Sequence, residues 1–257
     1  MWYPIKSYLP YLLQSQNQHG LHSPFVYQLV TECFYDNSSF EAYSEWRNFQ
    51  KQLYNSHEII EVNDVGAGSR VFSSAARKVS SIAKNAGTTY KRAKFLHRLT
   101  HYLKIDSALE LGTSLGLGSV AMGLNKQVKL TTVEACPATA HVAQTNFKQL
   151  QLSNINSKID TFDAFLKGLS EKTKFDLVFI DGHHDGKATY NYFLQLLKHH
   201  HNDSVFIFDD IYWSKDMQEA WKKIIQHPKV TVSIDTFFWG MIFFRKEQAK
   251  QDFKIRL

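Results

Sequence analysis

Cysteine is scarce in this chain: Cys33 and Cys136 are the two in 257 residues. Two thiols so far apart set out no disulfide framework and read as free thiols in a reducing compartment. Long apolar runs are missing as well, for none approaches the roughly 18–20 residues that a bilayer span needs. The opening MWYPIKSYLPYLL has no basic lead, no continuous apolar stretch and no small-residue cleavage site, so it does not read as a secretory signal. A cytoplasmic protein without a membrane partner is expected. Charge is nowhere concentrated: the net charge is +6 and the pI about 9.1, yet the longest basic stretches, Lys91-Arg92 and Lys222-Lys223, are pairs. That balance admits an anionic partner such as RNA without arguing for one. Repeats and low-complexity linkers are absent too.

What is present is apolar and aromatic: 44% hydrophobic residues, with 19 Phe and 12 Tyr, enough to fill the core of one large α/β domain or a core with an appendage. Residues 1–100 read as an N-terminal helical or lid region. Helices are expected at 8–13, at 24–34 with Ser23 as N-cap and Pro24 at the first helical position, at 71–84, and at 90–103. Residues 101–257 alternate instead. Strands are expected at 108–111, 128–133, 158–162, 175–180, 204–208, 230–234 and 241–244, with helices at 139–150, 189–201 and 215–226 among them. Such alternation means crossover connections, hence a Rossmann-like, mostly parallel seven-stranded sheet covered by helices. The short gap between 234 and 241 makes the last two strands an antiparallel terminal hairpin.

The run Ser107-Ala-Leu-Glu-Leu-Gly-Thr-Ser-Leu-Gly-Leu-Gly-Ser119 is a strand, a Gly-rich turn and a helix start. Gly112 and Gly116 permit a tight turn with backbone close to a ligand. Glu134 ends the next strand, 22 positions after Gly112, near the spacing at which an acid accepts hydrogen bonds from ribose hydroxyls. Glu110 before the turn would repel a pyrophosphate and suit a cationic methionine portion. Asp64-Val-Gly-Ala-Gly-Ser69 has a similar look, but no strand ending in an acid follows it at that distance, so a structural turn or part of a substrate lid is expected there.

ELGTSLGLGS and VEACP resemble the first two motifs of the class I S-adenosylmethionine-dependent O-methyltransferases, over about residues 90–246. The resemblance implies that Glu110, Gly112, Thr113, Ser114 and Gly116 contact the methionyl part of S-adenosylmethionine. It places Glu134 and Ala135 at the ribose and Asp163 and Ala164 at the adenine. Gly118 departs from relatives that carry Ser.

Phe175-Asp-Leu-Val-Phe-Ile-Asp-Gly-His-His-Asp185 and Ser204-Val-Phe-Ile-Phe-Asp-Asp-Ile211 bring acids to strand ends, where doubly wound sheets bind ligands. This resembles the metal-dependent O-methyltransferases of catechol and sugar type. It implies Asp181, Asp209 and Asp210 as ligands of Mg²⁺ or another hard divalent ion, which lowers the acceptor's pKa and orients it. Asp181 could instead cap a helix or touch the cofactor, and Asp209 and Asp210 could be solvated turn acids. His184 takes the position of that family's lysine base, with His183 as neighbouring candidate. His199-His200-His201 reads as a surface helix end, since adjacent residues cannot face one ion together.

His19-Gly-Leu-His-Ser-Pro-Phe25 holds two further imidazoles, with a turn and a helix cap as the reading preferred to a pocket. The whole chain also resembles a methyltransferase group of Bacteroidetes-type bacteria that shows this segment. The expected activity is O-methylation of a small hydroxylated acceptor. Methylation of tRNA or another nucleic acid, and a non-catalytic cofactor-binding or assembly role, are the alternatives. The aromatic N-terminal helices could close the site or bury a homodimer interface.

Overall fold

The computed structural model describes residues 2–63 and 74–256. In chain order its elements begin with α1 (Trp2–Gln14), α2 (Pro24–Leu29), α3 (Glu41–Tyr54), β1 (Ile59–Glu61), β2 (Ala76–Lys78), α4 (Val79–Ala86) and α5 (Tyr90–Tyr102). Then come β3 (Ser107–Leu111), α6 (Leu117–Gly123), β4 (Lys129–Glu134), α7 (Pro137–Gln149), β5 (Ile155–Ile159) and α8 (Phe162–Gly168). The rest are β6 (Leu177–Ile180), α9 (Gly186–Leu196), β7 (Val205–Asp209), α10 (Lys215–Gln226), β8 (Val232–Asp235), β9 (Trp239–Phe243) and β10 (Gln251–Lys254). The fold is α/β, with a mostly parallel sheet of eight strands and a separate β1–β2 pair. No helix among the described residues is long and apolar enough to cross a membrane.

Two compact units divide the chain, Met1–Thr31 with Asp163–Leu257, and Glu32–Phe162. In the Glu32–Phe162 unit, α3 and α5 pack on α6, so the helices before residue 100 belong with the first strands. Here β3, β4 and β5 run parallel in that order, Leu111 opposite Val133 and Glu134 opposite Ile159. Helix α6 is buried along its length. Thr89 caps α5 by accepting from the Arg92 N–H, and the helix closes with Lys104 left-handed at φ 53 while the Ile105 N–H reaches Thr100 O.

In the other unit β6 and β7 are parallel, β9 is antiparallel to β7 and β8, and β10 lies parallel beside β8. Strands β6 and β7 are buried at every position, as expected of central parallel strands covered on both faces. In α10, Met217, Ala220, Trp221 and Ile224 form one buried face at i, i+3, i+4, i+7, and Ser214 caps the helix at the Met217 N–H. Helix α1 is tied to the C-terminal segment: Tyr11 donates to Ile255 O at 2.5 Å, and the Gln16 N–H to Lys254 O at 2.8 Å.

The terminal hairpin is present as expected, β8 with β9. The strand expected at 158–162 is β5, displaced to Ile155–Ile159, and Phe162 starts a helix instead. The helix expected from 189 to 201 spans Gly186–Leu196. The expected 24–34 helix is α-helical only to Leu29 and continues as a π-helical turn, Val30–Phe34. Helix α3, the β1–β2 pair and β10 have no counterpart in the sequence reading.

Candidate functional site

In the Glu32–Phe162 unit the β3–α6 turn is built on left-handed backbone. Gly112, Ser114 and Gly116 have φ of 112, 47 and 89. At Gly116 a Cβ would stand 2.7 Å from Phe147 Cε1, so side-chain volume as well as the dihedral calls for glycine. The Gly112 and Thr113 N–H groups donate to Val133 O, binding the turn to the end of β4.

Glu134 sits at that end, half-buried. One carboxylate oxygen accepts the Ser114 N–H at 2.8 Å and the other the Cys136 N–H at 2.9 Å. Burial pushes its pKa up, against the pull of these backbone donors. As an acceptor-only carboxylate at a strand end, it suits a pair of vicinal hydroxyls. The acid and the turn thus fit the ribose end of a nucleoside-bearing cofactor.

Glu110 is placed differently. It is only 1% exposed, and one oxygen accepts from Ser119 Oγ and, at 2.6 Å, from Thr132 Oγ1. Burial raises its pKa to about 7. Thr113 is buried as well, its hydroxyl 2.5 Å from that of Thr132. These two hold the turn from beneath, whereas Ser114 and Ala135 stand at its rim with Glu134. The Asp64 to Ser69 stretch lies outside the described residues.

In the other unit, Asp163 lies in the first turn of α8 and accepts from Gln195 Nε2 at 3.0 Å; Ala164 follows it. Asp181 leaves β6 half-buried. The next turn is tight and left-handed, with His183 at φ 65 and His184 at φ 41, and the His184 N–H reaches back to Gly182 O at 2.9 Å. Neither residue is glycine, and two successive left-handed L-residues are uncommon, so the conformation is held by its surroundings. The His183 ring stacks on Tyr192 at 5.6 Å, and its Nδ1 shares a hydrogen bond of 2.8 Å with the Tyr192 hydroxyl. Burial pulls the imidazole below its usual pKa, and pushes the Tyr192 hydroxyl up to about 12. His184 lies against Trp213, ring centroids 5.4 Å apart. Asp185 caps α9 through the Ala188 N–H.

Asp209 ends β7 buried, and Asp210 turns out at φ 50 with its carbonyl accepting the Trp213 N–H at 2.8 Å. Among the described residues no group of three or more His, Cys, Asp or Glu side chains is gathered where it could hold a metal ion. Asp181, Asp209 and Asp210 are not gathered into such a group.

His199 corrects the expectation of a surface helix end. It is buried past the end of α9 with Nδ1 on Thr173 O at 2.9 Å. His200 turns to Leu197 O and Phe244, and His201 to Asp176 at 2.8 Å. The three imidazoles point to separate partners. His19 and His22 are exposed in a 3-10 turn capped by Asn17 and in the step before α2, whose N-cap is Ser23. Tyr192 was not singled out by sequence reasoning. Its position nine residues after His183 on the following helix carries no motif, and only the fold brings the two together.

The architecture is the Rossmann-like fold of the class I S-adenosylmethionine-dependent methyltransferases, and residues 109–211 match a family described as a methyltransferase domain. No curated protein matches the chain in sequence. Among solved structures it is similar to the methyltransferase PaMTH1 of Podospora anserina with S-adenosylhomocysteine bound: TM-score 0.61, 12% identity, covering 88% of this chain and 97% of that one. The O-methyltransferase TomG of Streptomyces achromogenes, involved in tomaymycin synthesis and solved with S-adenosylmethionine, gives 0.58, 14%, 90% and 99%. A Bacillus cereus O-methyltransferase with S-adenosylhomocysteine gives 0.54, 16%, 85% and 97%. At these identities the likeness is one of fold.

Proposed function

We propose that this chain is an S-adenosylmethionine-dependent methyltransferase acting on the oxygen of a small hydroxylated acceptor. The observation that carries the reading is Glu134, a strand-end carboxylate with one oxygen held by the Ser114 N–H of the Gly112–Gly116 turn and the other by the Cys136 N–H. Glu134 and Ala135 take the ribose, and the turn from Gly112 to Gly116 the methionyl portion. Asp163 and Ala164 keep the adenine role that the resemblance implies. When bound, the cofactor supplies a methyl group made electrophilic by its sulfonium. The acceptor's hydroxyl proton goes to an imidazole of the turn after β6. We assign it to His184, whose ring is steadied by Trp213, and give His183, held by Tyr192, the task of fixing that turn.

Calorimetric titration of S-adenosylmethionine and S-adenosylhomocysteine into the full chain, with and without Mg²⁺, tests this. Wild-type protein should bind both. Glu134→Ala should bind at least about tenfold more weakly while melting at a similar temperature, and Glu134→Gln should fall between. Wild-type protein that binds neither nucleotide would overturn the reading. Affinity or turnover that depends on Mg²⁺ would instead overturn the metal-free form of this reading.

A further inference from the structure

We propose that the outward face of α1 is the two-fold interface of a homodimer. Ile5, Leu9 and Leu13 are 67%, 65% and 81% exposed, and they recur every four residues, so they make one stripe along the helix. The opposite row, Tyr3, Ser7 and Tyr11, faces the protein, where Tyr3 bonds Gln218 and Tyr11 bonds Ile255. Exposed Tyr8 widens the patch through its edge contact with Phe237, and exposed Phe238 extends it beyond.

Isolated exposed leucines are ordinary; an aligned set on one helix is not. These five side chains present on the order of 500 Å² per copy, more than half of the roughly 800 Å² that each partner of a standard interface covers. The stripe is also symmetric about Leu9. Two copies related by a two-fold axis set Leu9 on the partner's Leu9 and Ile5 on the partner's Leu13, a packing of i±4 ridges. Lys6 is the one charged residue of α1, so the seam brings few charges together. An interfacial membrane helix carries a strongly basic polar face. That face of α1 is occupied by protein, and the basic groups at its end, Lys254 and Arg256, are engaged by Gln14, Leu12 and Ser15.

Light scattering coupled to size exclusion of the full chain should show a dimer at micromolar concentration. Leu9→Glu should weaken the dimer by roughly tenfold or more without lowering the melting temperature. Oxidised Leu9→Cys should give a covalent dimer, whereas Leu194→Cys, also exposed but on α9, should not. A wild-type monomer throughout the micromolar range, or a dimer indifferent to Leu9→Glu, would overturn the proposal. So would monomeric wild-type protein that pellets with phosphatidylserine vesicles, which would assign the stripe to a lipid surface.

Discussion

Two buried titratable residues of the Glu32–Phe162 unit act on stability in opposite directions. His97, in a nest of Phe40, Tyr43 and His101, has its pKa lowered to about 4, chiefly by burial and then by His101. Its contribution is complete above the unfolded value near 6.5 and is lost as pH falls towards 4, by about 3 kcal/mol at most. Glu110, raised to about 7, contributes fully below its unfolded value of 4.5 and loses that as pH rises through 7. The windows overlap, so these two contributions offset one another between pH 4.5 and 6.5. Urea unfolding across that range separates the two. His97→Phe should become less stable as pH rises, and Glu110→Gln less stable as it falls. Parallel profiles for both variants would refute the opposition.

Among elements, the β3–α6 turn is the one whose conformation is most tightly dictated by sequence. Gly116→Ala should cost about 2 kcal/mol or more, because the new methyl meets Phe147 and the left-handed backbone disfavours it. Thermal melts would show the loss, and calorimetry should show weaker cofactor binding alongside it. The same turn was legible in the sequence because a two-glycine spacing and a strand-end acid are local signals. So were β6 and β7, whose apolar runs reflect burial on both faces, and α10, with its cap and apolar face. Edge and peripheral elements were harder. Strand β5 carries the polar Asn156-Ser157-Lys158, leaving no apolar alternation to fix its phase. Strand β10 is only four residues long and half-exposed. Helix α3 lacks a side-chain cap at Phe40. In the site, the strand-end positions followed from topology. The inward turn of Glu110 and the pairing of His183 with Tyr192 depend on packing that spacing does not encode.

At the scale of the molecule, the unit holding β6 to β10 is assembled from both ends of the chain. Helix α1 is held to Ile255 and Lys254 through Tyr11 and Gln16, contacts more than 230 residues apart in sequence. Closing so long a loop is slow relative to local pairing. The α1 surface is therefore completed only with the C-terminal segment in place, and a homodimer built on it would assemble from finished subunits.

The bent backbone at His183, His184 and Asp210 carries a consequence for heat tolerance. L-residues in the left-handed region cost about 1–2 kcal/mol each, and glycine would relieve this. His184→Gly should therefore unfold about 1 kcal/mol less readily than His184→Ala, although both lack the imidazole. A melt of the two variants measures that difference directly. Selection for thermostability alone would move all three positions to glycine and discard the side chains with the strain. Keeping His183, His184 and Asp210 in that region therefore holds the melting temperature below what glycine there would allow.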